Sequence, residues 1–509
     1  MLAKIDSLGL QGIDGFEVTV EVDISNGLPV FEMVGLPDMA VKESRERVRS
    51  AIRNSGFEFP ISRITVNLAP ADIRKEGPIY DLPIALGILI SSGQMPANNI
   101  SDTVIMGELS LDGSVRGING VLPMIISARN NGVKRFLIPQ ANIREAENVS
   151  GVEVYTAADL NQAVSFVVCG AQGEAGRVEY KQWSSASANA NLTDFADIKG
   201  QRAAKRALEI AAAGGHNILL IGPPGSGKTM LARSLPTILP EMTFEEALEV
   251  TKIHSVVGEL AENGIINFRP FRAPHHTASL ASITGGGAKA RPGEVSLAHY
   301  GVLFLDELPE FPRNILEALR QPVEDGVISV TRVQNTITYP ARFMLVAGMN
   351  PCPCGNYGAK GASCKCTPPQ VARYLSRVSG PLLDRVDLQI FVEQITYKQI
   401  TETCSEETSE QVRQRVQRAR VIQMKRFEGK GIFSNSEMES AMINKYCRLD
   451  KKGDEILKEA FNSLKMSARG YNRVLKVART IADLDGKEMI GFAHVAEAIQ
   501  YRHLDRKLW

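Results

Sequence analysis

The chain carries almost no net charge: 58 Lys and Arg face 57 Asp and Glu in 509 residues. That balance excludes a global basic field, so any contact with nucleic acid must come from local patches. Long apolar runs are also missing. The longest clear one, residues 82–90, falls far short of the ~20 residues that span a bilayer, so no membrane role is expected. The first residues, MLAKIDSLGLQGIDG, lack the basic start and apolar core of a signal peptide. A cytoplasmic, reducing location is expected. Cysteine is scarce at seven residues, and there clustered cysteines suit metal ligands or free thiols better than disulfides. No internal repeat recurs at a fixed period, and a Ser/Ala run near residue 185 is the only low-complexity stretch.

What is present is α/β in pattern and too long for one hydrophobic core, so two to four domains are expected. Phe16, Val18, Val20, Val22 and Ile24 alternate with polar residues as in a strand with one wet face. Asn26-Gly27 then turns the chain, and 29–34 can return as a hairpin partner. Val41, Val48, Ala51 and Ile52 share a helical face ending before Gly56, and Ile64, Val66 and Leu68 form another strand. Residues 171–193 are small, polar and aperiodic, an interdomain linker between a first domain, 1–170, and a second, 194–390. A third region, 391–509, is rich in charged helical patterns, with Val474, Leu475, Val477, Ala478 and Ile481 on one face.

The strongest motif is Gly222-Pro223-Pro224-Gly225-Ser226-Gly227-Lys228-Thr229, between an apolar strand at 218–221 and a helix at 230–235. This is a full P-loop match in strand–loop–helix context, where glycines turn N–H groups toward phosphates at a helix N-terminus. Lys228 would reach the β- and γ-phosphates of ATP, and the Thr229 hydroxyl would hold Mg²⁺. Downstream, the apolar strand in GVLFLDELPEF ends in Asp306, suited to the metal, and Glu307, suited to polarising the attacking water. A further apolar strand, 343–347, leads to Asn350, which can orient that water. Arg385, Arg469 and Arg473 can stabilise phosphoryl charge from a lid or a neighbouring subunit, although from spacing alone a surface ion pair is the better reading of each.

In order and spacing, the P-loop, FLDE, Asn350, LLDRVD and SARGYNRVLKVARTIADL resemble the AAA+ ATPases, and within them the magnesium-chelatase-like branch. The block from PFRAPHHT to LPEF, with NPCPCG, resembles the ComM/YifB family of bacterial competence-related proteins. The resemblance implies a hexameric ring with sites at subunit interfaces, doing DNA unwinding or branch migration. It matches Lys228 and Thr229 to the Walker A pair, Asp306 and Glu307 to Walker B, and Asn350 to sensor one. It matches Arg385 to the arginine finger and Arg469 to the sensor-two arginine, with Arg377 and Arg473 as runners-up. It also sets DFADIKGQ where such proteins wrap the adenine, with Ile198 and Gln201 as the contacts. The charged third region is then a helical lid.

Residues 1–170 resemble the proteolytic domain of Lon-type proteases through KEGPIYDLPIALGIL and GELSLDGSVRGINGVLPM. That family needs a serine after its Gly-Pro and a lysine after a later glycine. Here Ile79, Tyr80 and Asp81 follow Gly77-Pro78, and Leu122 stands where the lysine would fall. The expectation is a Lon-like fold without the dyad, used for assembly or for guiding DNA.

Two segments are candidates for tracking DNA phosphates at a ring's pore: the loop with Lys289 and Arg291, and a hairpin (327–330 and 336–339) carrying Arg332. Solvated charges read equally well for Lys289 and Arg332. His275-His276 has no Cys or carboxylate at metal-ligand spacing in sequence, and adjacent histidines on a regular element point different ways. A structural or gating role is expected. Cys352, Cys354, Cys364 and Cys366 can form a tetrahedral zinc site, or remain reduced thiols bracing a loop. An ATP-driven DNA motor is the leading reading, and a protein-remodelling or chelatase-type ATPase is the alternative.

Overall fold

The computed structural model describes residues 2–183, 193–260, 264–287, 290–331, 336–358, 363–395 and 406–502. The chain divides into two compact units, Met1–Ser184 with Phe244–Ile266, and Ser185–Thr243 with Asn267–Trp509.

The first unit is built on an eight-stranded sheet. Leu2–Gln11 (β1) and Asp14–Ser25 (β2) form a long antiparallel ribbon turning at Gly12, whose φ of 67° is left-handed. Alternation in β2 buries Val18, Val20 and Val22. Residues 29–34 do not return as a hairpin. Val30–Val34 (β3) instead runs parallel to Arg63–Ala69 (β4), and β4 pairs antiparallel with β2. The reason lies in the side chains. One edge of β2 is already taken by β1, and β4 brings the fully buried Ile64, Val66 and Leu68 to the other. β3 alternates only exposed with half-buried residues and is left at the sheet edge.

Thr103–Ile105 (β5), Arg135–Pro139 (β8), Glu153–Ala157 (β9) and Gly176–Arg177 (β10) complete the sheet in the order β10-β9-β8-β5-β1-β2-β4-β3. Glu108–Leu109 (β6) and Val115–Arg116 (β7) pair separately. The helix Asp81–Ser91 is buried along its whole length, which explains its unbroken apolar sequence. The helix Phe244–Val257 lies between two stretches of the second unit in sequence, yet it belongs to the first. Its Leu248 packs on that core, and its Ser255 donates to Glu145 at 2.6 Å.

The second unit holds a five-stranded, wholly parallel sheet. Its strands are Ile218–Ile221 (β11), Phe271–Arg272 (β12), Val302–Leu305 (β13), Met344–Met349 (β16) and Leu388–Phe391 (β17), ordered β12-β13-β16-β11-β17. β11, β13 and β16 are buried at every residue, as expected of parallel strands covered on both faces. Val327–Thr331 (β14) and Thr336–Pro340 (β15) form the antiparallel hairpin read from the sequence. The helices Ser409–Arg426, Lys451–Leu464, Ala468–Leu484 and Phe492–Gln500 follow, and Val416, Leu457, Val477 and Val495 join the core that holds β11. The chain is thus mixed α/β with a helical C-terminal region. Among the described residues, no helix is long and apolar enough to cross a membrane.

Candidate functional site

Parallel strands deliver their C-terminal ends to one edge of a sheet, and there three of them supply polar groups. β11 runs directly into Gly222, β13 into Asp306 and β16 into Asn350. Gly222 has to be glycine, because a Cβ would lie 2.4 Å from the Val392 carbonyl oxygen. Gly225 and Gly227, at φ 74° and 91°, then carry the loop into the helix Lys228–Ser234.

Lys228 Nζ donates to the Gly222 and Pro223 carbonyls at 2.8 and 3.0 Å, and to Asn350 Oδ1 at 3.2 Å. Burial lowers its pKa, and the nearby Asp306 and Glu307 carboxylates oppose that shift. The Thr229 hydroxyl donates to Asp306 Oδ2 at 2.7 Å, so two hard oxygen ligands stand side by side, as Mg²⁺ requires. Ser226 Oγ is buried with no hydrogen-bond partner among the described residues, in the loop that leads into the helix Lys228–Ser234. An unsatisfied cradle of this kind fits phosphate. The residues present therefore fit ATP with Mg²⁺.

Glu307 is more than half exposed and held in the left-handed region at φ 53°. His276 Nδ1 lies 3.8 Å from its Oε2, and the His275 and His276 rings are 4.1 Å apart. Sequence spacing hid this carboxylate, and the histidines sit on no regular element, so their rings lie tilted against each other instead of diverging. Gln201 and Ile198 lie behind the loop. Gln201 Nε2 donates to the carbonyls of Ser226 and Glu393 at 3.2 and 2.6 Å, and Ile198 is buried in the core.

The candidate arginines are elsewhere. Arg385, Arg469 and Arg473 line a cavity of about 460 Å³ with Asn217, Gly301, Met344 and Asp387, residues at the N-terminal ends of the same parallel strands. A four-residue strand is roughly 13 Å long, so these arginines face away from their own P-loop. Arg385 pairs with Glu324 and donates to the Pro381 carbonyl at 2.7 Å. Burial, with Arg320 and Arg469 close by, lowers its pKa. Its Nε and the Nη1 of Arg473 are buried without hydrogen-bond partners among the described residues. Arg377 instead holds Glu310, three residues beyond Glu307, at 2.9 Å.

The two DNA candidates are neighbours, since Tyr339 of β15 donates to the Ala290 carbonyl at 2.7 Å. Arg291 is exposed at the base of its loop, bridged to Gly286. Lys289 and Arg332 lie outside the described residues. The four clustered cysteines converge, all four sulfurs lying within 4.8 Å of one another, an arrangement compatible with zinc.

In the first unit the matching Lon positions are closed. Asp81 is fully buried and bound bidentately by Arg47, at 2.6 and 3.1 Å. Burial raises its pKa to about 6, against the pull of Arg47. The Tyr80 hydroxyl is buried and pushed strongly up. Leu122 offers only its backbone N–H, donated to Glu145 at 3.1 Å.

Comparison with known proteins agrees with these features. The family "Magnesium chelatase, subunit ChlI" matches residues 194–400, its C-terminal counterpart matches 406–502, and "Subunit ChlI of Mg-chelatase" matches 20–142. The competence protein ComM of Haemophilus influenzae is 46% identical over 508 residues, covering 100% of this chain and 98% of its own. The protein YifB of Escherichia coli K12 is 46% identical over the same span and the same shares. Lon protease 2 of Bacillus subtilis is 34% identical over 115 residues, 22% of this chain and 20% of its own.

Proposed function

The chain belongs to the ComM/YifB family of magnesium-chelatase-like AAA+ ATPases, and from that premise we propose that it is an ATP-driven DNA motor. One observation carries the reading. Lys228, Thr229, Asp306 and Asn350 converge at one edge of a parallel sheet, while the arginines the reaction needs lie at the other edge. A site divided in this way is completed by a second copy, as in a closed ring.

In that ring Lys228 and the loop N–H groups hold the phosphates, and Thr229 and Asp306 hold Mg²⁺, which neutralises phosphate charge when bound. Glu307 polarises the attacking water, Asn350 orients it, and Arg385 and Arg469 of the adjoining copy stabilise the transferring group. Ile198 and Gln201 border the adenine. Residues 194–390 are the motor, 391–509 its lid, and 1–170 a Lon-like platform; 171–193 join them, although Gly176–Arg177 within that stretch adds a strand to the first sheet rather than being pure linker. The ring is hexameric and works in the cytoplasm. The loop with Lys289 and Arg291 and the hairpin with Arg332 track DNA phosphates, with branch migration during competence-related recombination as the work done. The name of the Haemophilus relative and the adjacency of these two segments support the DNA assignment.

The chelatase descriptions of the matching families favour the alternative, an ATPase that remodels protein partners. ATP hydrolysis by the full-length chain is expected to rise on adding forked or four-way DNA. Lys228→Ala is expected to abolish it, and Glu307→Gln to keep ATP bound without turnover. A rate indifferent to every DNA structure but raised by a protein partner would overturn the DNA reading.

A further inference from the structure

The cysteine loop opens where β16 ends. Two residues after Asn350 comes Cys352, fully buried, and then Cys354, Cys364 and Cys366, all half-buried. The sulfurs of Cys352, Cys354 and Cys364 are 3.3, 3.7 and 3.6 Å apart, and Cys366 lies within the same 4.8 Å group. Tetrahedral Zn–S bonds of about 2.3 Å separate their sulfurs by about 3.8 Å, which is this spacing. An iron–sulfur cluster, whose cysteines bind different irons, needs them wider apart.

The surroundings are those of a thiolate centre. The N–H groups of Asn356 and Lys365 point at the Cys354 sulfur, that of Cys354 at Cys366, and that of Cys366 at Cys364. Such backbone donors offset the charge of four thiolates and orient them.

The loop also touches the nucleotide site from two sides. Gly355, at φ 80°, packs so closely on the P-loop that a Cβ would lie 2.3 Å from Pro224 Cδ. Beyond Cys366, Gln370 accepts from the Thr367 N–H at 2.9 Å and starts the helix Pro368–Leu375. From that helix the Tyr374 hydroxyl faces the Asn350 N–H. The described residues around the four sulfurs, 350–358 and 363–374, are therefore tied to the P-loop through Gly355 and to each other through Asn350 and Tyr374.

We propose that Cys352, Cys354, Cys364 and Cys366 hold one Zn²⁺ as a closed tetrathiolate, and that this knot braces the P-loop through Gly355 against Pro224. Four protein ligands leave no open position, so the ion is structural and takes no part in hydrolysis. The metal assignment stands apart from the ATPase reading, whereas the brace rests on it.

The test uses full-length chain, purified under reducing conditions without a metal-binding tag. Elemental analysis is expected to find one zinc per chain that survives dialysis against EDTA and is released by a mercurial. Cys364→Ser with Cys366→Ser is expected to lose the metal and to weaken binding of a fluorescent ATP analogue roughly fivefold or more. Gly355→Ala is expected to keep the zinc and lose affinity by a comparable factor, with an unchanged circular dichroism spectrum separating this from misfolding. Zinc no higher than background after reconstitution with Zn²⁺, or iron in its place, would overturn the metal assignment. Loss of zinc with unchanged nucleotide affinity would overturn the brace. Wild-type chain that holds zinc but binds no nucleotide would overturn the ATPase reading and the brace, and would leave the metal assignment supported.

Discussion

The two units each run a Gly-Pro turn into a helix, and they use it in opposite ways. At Gly77-Pro78 the residues that follow are turned inward: Ile79 and Tyr80 enter the core, and Asp81 is neutralised by Arg47, whose Nη2 also donates to the Ala40 carbonyl. At Gly222-Pro223 the helix opens with Lys228 and Thr229, which find their partners on two other strands and leave Ser226 Oγ unsatisfied. The first turn ties its carboxylate to Arg47 and buries the Tyr80 hydroxyl among apolar side chains, whereas the second gathers a lysine, a hydroxyl and a carboxylate at the end of a sheet. A loop is a binding site by virtue of the polar and charged groups its fold gathers beside it, more than by its glycines.

The largest effect should come from the arginines that the open site lacks within its own chain. Arg385→Ala is expected to lower ATP hydrolysis by about 10³-fold, the range for removing an arginine finger. Mixing it with inactive Lys228→Ala should restore part of the activity, because one copy then contributes an intact P-loop and its neighbour an intact Arg385. Equal inactivity of the mixture, measured under conditions where the two variants co-assemble, would show that Arg385 serves its own chain.

The closed turn should fail through stability. Asp81→Ala leaves Arg47 with an uncompensated charge in the first unit, a loss of about 3 kcal/mol. Thermal unfolding of the full chain should show that unit melting earlier, while nucleotide binding is retained below the transition. The pH dependence has a definite sign. Burial raises the folded pKa of Asp81 to about 6, from an ordinary 3.8. The folded state therefore holds this proton more tightly, and the Asp81 contribution to stability declines as pH rises from about 4 to 6. Asp81→Asn should flatten that slope; a slope unchanged by the substitution would assign it to other groups.

Much of the second unit was legible in sequence, because parallel strands read as short apolar runs and the P-loop is local. β11, β13, the β14–β15 hairpin and Asn350 at the end of a strand lie where periodicity and motif spacing put them. What was illegible depends on pairs of distant segments. Nothing near residue 30 says that β3 will run parallel to β4, since that choice depends on the burial of Ile64, Val66 and Leu68. Nothing near residue 244 says that the helix Phe244–Val257 packs with the first unit, since its anchor Glu145 is 110 residues from Ser255. Gly355 against Pro224 and His276 beside Glu307 are likewise contacts between loops, and loops carry no period.

The smallest effect concerns that last contact. Glu307 is exposed, in a left-handed backbone conformation, and its carboxylate leans toward His276 at 3.8 Å. On the proposed role of Glu307 in polarising water, its carboxylate is thereby partly occupied by a neighbour, and His276 restrains it. An exposed interaction of this length is worth at most about 1 kcal/mol, a factor of roughly five in rate. His276→Ala is expected to raise basal ATP hydrolysis by about threefold, within that bound, and to shrink stimulation by DNA in proportion, with nucleotide affinity unchanged. His276→Gln, which keeps a donor near Glu307, should fall between. A lower basal rate in His276→Ala would mean that the histidine aims Glu307 at the water and does not restrain it.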